Sequence, residues 1–202
     1  MRLYRPFLLS RVIFPGAFFR INDHEKVLYL TFDDGPDPVS TPEVIDILAK
    51  YNVCAMFFLN GRNAEMYPHL LSAIKASGHV TGNHGYDHLD GWFTSTRNYL
   101  SNVSSGASFS SERWFRPPYG SYNDDIRAIA KEEGASIVLW NLTPDDWKNP
   151  GEAIIRKRVT SSVKDGSIVL LHVREQTLSA LPRLIQELTD MGYELVGLSE
   201  IM

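Results

Sequence analysis

The chain alternates short, strongly apolar runs with segments of helical period, and this alternation restricts the fold more than any other feature. "KVLYLTF" (26–32) and "VCAMFFL" (53–59) are rich in β-formers and apolar throughout, as strands buried on both faces must be. "HVTGN" (79–83), "RWFRPP" (113–118), "SIVLW" (136–140), "SIVLLHV" (167–173) and "YELVGLS" (193–199) extend the series. Between these runs, Thr41-Pro42 predicts a helix start, with Val44, Ile45, Leu48 and Tyr51 on one face. Leu70, Leu71 and Ile74 predict a second helix over Pro68–Ser77, stopped by Gly78. Asn123 caps a third helix carrying Ile126, Ile129 and Ala130, ended by Gly134. Ile154, Ile155, Val159 and Val163 mark a fourth, and Leu178, Leu181, Ile185 and Leu188 form a clean stripe up to Gly192. Residues 93–111 are polar, with a weak helical pattern.

Six or seven strands separated by helices imply an α/β fold with a parallel sheet, open or closed. At 202 residues the chain falls below the roughly 250 typical of an eight-fold barrel, so a smaller or incomplete barrel is expected. One domain over 26–202 accounts for the pattern, with residues 1–25 as an N-terminal cover segment. Phe7–Phe19 is read as a helix over the barrel bottom; the alternative is weak peripheral membrane contact through its aromatics. No stretch reaches the 18 or so apolar residues of a membrane span. Arg11 and Pro15-Gly16 break the N-terminal apolar run, and no convincing cleavage site follows, so a cytoplasmic location is expected. A net charge of −4 without a basic block argues against nucleic acid as a partner. The single cysteine, Cys54, excludes an internal disulfide and is read as a small buried hydrophobe.

Functional residues in parallel α/β folds gather at the carboxyl ends of strands, and the unusual polar residues here fall there repeatedly. Asp33 and Asp34 follow the first run, although "TFDDGPDP" also reads locally as a turn. His84 and His88 follow the third, at the i,i+4 spacing that puts two imidazoles on one face of a helical turn. With one aspartate they make a two-His, one-carboxylate set suited to Zn²⁺ or another divalent transition metal. The paired aspartates then take two roles, one binding metal and the other accepting a proton. Arg116, set rigidly in "RPPYG", could orient a carboxylate. His172, at the end of an apolar strand, is a candidate general acid beside such a site. Asp146 lies just past the fifth run, and Trp147 and Trp140 offer aromatic faces useful beside a sugar. His24, His69 and His79 have no such company and default to structural or surface roles.

Taken together, "TFDDGP", "HGYDH", "RPPYG", "DDW" and "LLH", in this order, resemble the five motifs of the polysaccharide deacetylase family, the NodB-homology or carbohydrate esterase family 4 domain. The match runs from about Lys26 to the C-terminus. The resemblance implies a distorted (β/α)7 barrel. It also implies Asp33 as the base activating water, Asp34, His84 and His88 as metal ligands, and Arg116 as the group orienting Asp33. The Tyr119 backbone N–H would help hold the oxyanion. His172 would protonate the leaving amine, with Asp146 tuning it, and Leu170 and Trp147 would wall the acetyl pocket. Three positions depart from the family pattern. Gly85 stands where Ser or Thr is usual, Thr143 replaces an acidic residue, and Val173 replaces an Asp. The expected activity is metal-dependent removal of acetyl groups from N-acetylated amino sugars. An O-acetyl esterase on an acetylated glycan and a catalytically silent glycan- or metal-binding module are the rivals.

Overall fold

The structure, a computed structural model, describes residues 14–21, 25–111 and 113–198. Its strands are β1 (Ala17–Phe18), β2 (Val27–Asp33), β3 (Met56–Leu59), β4 (Val80–Asn83), β5 (Trp114–Phe115), β6 (Ser136–Val138), β7 (Ser167–His172) and β8 (Glu194–Leu195). The helices are α1 (Ser40–Lys50), α2 (Gly61–Met66), α3 (Pro68–Ala76), α4 (Thr96–Ala107), α5 (Asp124–Glu132), α6 (Glu152–Thr160) and α7 (Glu175–Asp190).

The sheet order is β1-β6-β5-β4-β3-β2-β7, with β8 added to the start of β2, and every strand pairing is parallel. Past β6 the chain forms a parallel bridge from Leu142 to Val169, which brings the far end of the sheet round to β7. The result is the distorted (β/α)7 barrel expected from the motifs. Strand alternation then sorts the side chains. Leu28, Leu30 and Phe32 face out to Val44 and Leu48 of α1 and to Leu181, Leu184 and Leu188 of α7. Val27 and Tyr29 face in, with Met56, Phe58, Val80, Trp114 and Ile168. Each such side chain contributes about 1.5–3 kcal/mol by leaving water. Residues two and four places beyond Tyr29, namely Thr31 and Asp33, follow it to the inner face. β2 and β7 pair over their length, and the last pair in register is Asp33 with His172.

Several local readings are corrected. β3 begins at Met56 rather than Val53, and Cys54 is half-buried, its Sγ 3.6 Å from the Gly78 carbonyl. Helix α1 starts at Ser40, not at a Thr41 cap. Asp37 Oδ1 accepts from the Val39 and Ser40 N–H groups at 3.0 and 2.7 Å, while Thr41 Oγ1 accepts from the Asp37 N–H. Ile154, placed inward by the pattern, is 46% exposed. The segment 93–111 contains the well-formed α4, and α2 was not anticipated. Most of the proposed cover segment lies outside the described residues. Where it is described, Ala17–Phe18 is a strand paired with β6 rather than a helix.

Candidate metal and proton-transfer site

Asp33 ends β2 pointing into the barrel, 3% exposed, and its Oδ1 accepts from Arg116 Nη1 at 2.7 Å. The same nitrogen donates to Thr31 Oγ1 at 2.8 Å. Nε and Nη2 donate to the Val138 and Leu139 carbonyls, each at 3.1 Å. The guanidinium also lies 4.0 Å over the Phe58 ring. Arg116 is fully buried, and a charge in that position persists only when paired and hydrogen-bonded. Deleting one partner of such a pair costs about 3–5 kcal/mol. The carboxylate of Asp33 is thus clamped at one oxygen, with Oδ2 left toward His84 Nε2 at 3.7 Å.

Asp34 adopts a left-handed backbone, φ +72°, with its carbonyl accepting from Asn63 Nδ2 at 3.0 Å. Its Oδ1 lies 3.1 Å from His88 Nε2 and 3.7 Å from His84 Nε2. One ligand atom from each of Asp34, His84 and His88 falls within 4.8 Å of the others. Ligand bonds of about 2.0–2.2 Å at tetrahedral angles separate donors by roughly 3.3–3.6 Å, so these positions suit a divalent ion. His84 Nδ1 faces the Arg116 carbonyl at 2.7 Å, which makes Nδ1 the donor and leaves the Nε2 lone pair free to ligate. Burial pushes His84 below its ordinary pKa, against the pull of Asp33 and Asp34, and so favours the neutral, ligating form. Burial alone would raise Asp34. The His88 hydrogen bond and the charges of His84 and His172 outweigh it and hold the carboxyl well below its usual range.

The two histidines do not share a helical turn. His84–His88 is an irregular loop in which Gly85 (φ +75°) and His88 (φ +55°) are left-handed, and these turns bring the rings to 4.9 Å. The loop is pinned from two helices. The Gly61 and Arg62 N–H groups donate to the Gly85 and Tyr86 carbonyls at 2.9 and 3.0 Å. From α4, Asn102 Oδ1 accepts from the Tyr86 N–H at 3.0 Å, and its Nδ2 donates to Asp87 Oδ2 at 3.3 Å. A Cβ on Gly85 would lie 2.7 Å from Asn102 Oδ1. The amide of Asn102 therefore fills the space beside the first histidine where the family pattern has a hydroxyl-bearing side chain.

Across the barrel mouth, Asp146 holds His172 twice. Its Oδ1 is 2.9 Å from Nδ1, and its Oδ2 accepts from the His172 backbone N–H at 2.8 Å. Thr177 Oγ1 adds a third bond to Oδ2 at 2.6 Å. Burial would lower the His172 pKa, but the Asp146 hydrogen bond and the charges of Asp146, Asp33 and Asp34 raise it. Trp147 packs edge-on to His172 at 5.2 Å, and Leu170 lies two residues before it on the same strand face. Tyr119, left-handed at φ +60° and 68% exposed, sets its ring edge-on to His88 at 4.7 Å. The other departures also have local roles. Thr143 Oγ1 accepts from the Asp145 N–H at 3.3 Å, and buried Val173 packs against Gly35.

Ten singled-out residues thus meet at one end of the barrel: Asp33, Asp34, His84, His88, Arg116, Tyr119, Asp146, Trp147, Leu170 and His172. His79 lies instead at the opposite end of β4, where burial lowers its pKa to about 4; His69 sits on α3, and His24 falls outside the described residues. Arg174 was not foreseen. Its Nη2 donates to Asp34 Oδ2 at 3.2 Å. Its position two residues past His172, at a strand end, was the available signal. Thr177 and Thr31 carried none, since each reads as an ordinary helix or strand residue.

Comparison with known proteins agrees with this geometry. Residues 20–138 match the family model described as polysaccharide deacetylase. A peptidoglycan-N-acetylglucosamine deacetylase of Bacillus cereus is 37% identical, over 96% of this chain and 98% of the relative. A chitooligosaccharide deacetylase of Sinorhizobium fredii is 38% identical, over 82% of this chain and 87% of the relative. The crystal structure of a CE4 family pseudoenzyme from Bacillus anthracis superposes with a TM-score of 0.86 at 27% identity, covering 93% of this chain and 69% of that one. The fold is therefore shared by active and inactive proteins, and it is the matched motifs and the length of the aligned relatives that assign the lineage: this chain belongs to the polysaccharide deacetylase family.

Proposed function

We propose that the protein is a metal-dependent N-deacetylase of N-acetylated amino sugars, acting on N-acetylglucosamine units, with zinc at the Asp34–His84–His88 donors. One observation carries the reading: the three donors share the barrel mouth with a carboxylate held by a buried arginine and an imidazole held by a buried carboxylate. A silent binding module would need neither clamp. Bound there, a divalent ion would polarise the acetamide carbonyl and lower the pKa of a water beside it. Asp33 Oδ2 takes the proton as that water's oxygen bonds to the carbonyl carbon. The Tyr119 backbone N–H stabilises the charge growing on the carbonyl oxygen. His172 Nε2 then delivers a proton to the amide nitrogen as the C–N bond breaks, giving acetate and a free amine. Trp147 and Leu170 line the space for the methyl group.

The test is acetate release from N-acetylglucosamine oligomers by protein stripped with chelator and reloaded with zinc. Release should depend on reloading and should exceed hydrolysis of acetylated xylan. No release from any N-acetylated sugar, or a preference for the ester, would overturn the reading. The cytoplasmic location expected from the sequence has its own test, fractionation of cells followed by immunoblotting.

A further inference from the structure

The two oxygens of Asp34 face different partners. Oδ1 turns to the histidines, 3.1 Å from His88 Nε2 and 3.7 Å from His84 Nε2. Oδ2 accepts from Arg174 Nη2 at 3.2 Å, and the proposed reaction makes no use of this arginine. The main chains of both residues are fixed. Asn63 Nδ2 donates to the carbonyl of left-handed Asp34 at 3.0 Å, and the Asn60 N–H donates to the Gly35 carbonyl at 2.9 Å. Arg174 lies between β7 and α7. The Val173 N–H before it donates to the Asp33 carbonyl at 3.3 Å. Its own carbonyl accepts from the Thr177 and Leu178 N–H groups at 3.0 and 3.1 Å as α7 begins. With both backbones held, the rotation of the Asp34 carboxylate is what remains to be set, and Arg174 bonds to the oxygen turned away from the histidines.

We propose that Arg174 is a positioning residue for the metal: it holds Asp34 Oδ2, so that Asp34 binds the ion through Oδ1 alone. The inference rests on the metal-dependent reading and deepens it. A carboxylate ligates through one oxygen or through both, and the choice decides how many positions stay open. A catalytic zinc keeps one open beside three protein ligands. A second bond from Asp34 would occupy the place that a water or the acetamide carbonyl needs. The guanidinium opposes that swing, because a charge-assisted hydrogen bond would have to be given up. Stability is not the main effect, since Arg174 is half-exposed and a pair so open to water adds little to folding. The effect is directional, the bond selecting between two otherwise equivalent oxygens. Asp33 is arranged in the same way one residue earlier, with Oδ1 held by Arg116 and Oδ2 toward His84. Each of the adjacent aspartates thus has one oxygen tied by an arginine and the other facing a histidine.

The experiment loads wild type, Arg174→Met, Arg174→Ala and Arg174→Lys with cobalt(II) in place of zinc and records the visible spectrum. Its bands weaken and move to shorter wavelength as the coordination number rises. The side chain is half-exposed, so the variants should fold as wild type does, checked by circular dichroism. Arg174→Met and Arg174→Ala should give the weaker, shifted bands. Arg174→Lys should keep the wild-type spectrum, because a single N–H on Oδ2 is all that is required. With zinc, kcat/KM for acetate release should fall about tenfold in Arg174→Met, the low end for outer partners of metal ligands, and recover in Arg174→Lys. Unaltered spectra in Arg174→Met and Arg174→Ala overturn the proposal whatever the activity does. An equal change in Arg174→Lys overturns it as well, since the bond to Oδ2 would then not be the cause. Spectra that respond as expected in a protein releasing no acetate keep the positioning role and remove the proposed reaction.

Discussion

Asp33–Arg116 and His172–Asp146 are mirror images in how they divide labour. In the first pair the carboxylate faces the site and the cation is sealed behind it; Arg116 is fully buried and makes bonds to two carbonyls and a hydroxyl besides Asp33. In the second the imidazole faces the site and the carboxylate is sealed behind it; Asp146 is 1% exposed and accepts from His172 twice and from Thr177. A group that must accept a proton is backed by a permanent cation. A group that must donate one is backed by an anion. The proposed proton direction thus matches which member of each pair stands behind the other.

Exchanging the reacting member should do the most damage. Asp33→Asn keeps the shape and the Arg116 contact but cannot accept a proton, so turnover should vanish while zinc, read by elemental analysis, stays near one per chain. Wild-type turnover would erase the distinction between the two pairs. His172→Ala should lose an estimated 10²–10⁴-fold in kcat on amides, and less on esters, whose alkoxide leaving group needs less help from an acid. Equal losses on both would show that His172 does not act on the leaving group.

Changing a backing member should be milder and should show in the pH profile. Asp146 raises the pKa of His172, so the acid form persists above the ordinary histidine value and activity falls as pH rises through the raised one. Asp146→Asn should therefore move the alkaline limb of kcat/KM to lower pH, with a smaller loss at its optimum than His172→Ala. The same sign governs stability: the favourable His172–Asp146 contribution is complete below the unfolded histidine pKa and is lost as pH rises through the folded one. Thermal melts of the two proteins should converge at alkaline pH. An unmoved limb would reduce Asp146 to a positioning role.

The smallest effect is expected outside both pairs. Asn102→Ala removes one acceptor of the Tyr86 N–H, which keeps its bond to the backbone carbonyl at 102, and one donor to Asp87, which keeps Arg62, and should weaken zinc binding by about tenfold in competition with a chromophoric chelator, the low end of the range for outer partners of metal ligands. Turnover at saturating zinc should change far less. Unaltered affinity would assign the loop's shape to Gly61, Arg62, the Asn83 side chain and the backbone at 102.

The comparison of pairs also explains what the sequence disclosed. Reacting groups lie at the ends of apolar strands, where a charged residue stands out, so Asp33, Asp34, His84 and His172 were legible. Their supports were less so. Thr177 and Asn102 sit on helices, where a polar residue is ordinary, and their partners are 31 and 16 positions away in the chain. Helix α4 shows only a weak pattern in the sequence for a related reason. "TRNYLSNVSSGA" is rich in weak helix formers, and its stability comes from burial of Tyr99 and Val103 and from close approach of Gly106 to Gly85. The i,i+4 spacing singled out two histidines that do meet in space but suggested the wrong backbone, because two positive-φ residues achieve by irregular turns what a helix does by period.

The register of β2 against β7 has one more consequence. Asp33 and His172 are direct partners across adjacent strands, so their separation derives from the sheet's own spacing, about 4.8 Å between neighbouring chains. Shifting either strand by one residue would send its reacting side chain out among the helices. For the proposed proton transfers, the lattice of main-chain hydrogen bonds would act as a ruler, set before any loop is built. Loops around the barrel mouth can then change in length or sequence, and the distance between the Asp33 and His172 backbones stays where the strands put it.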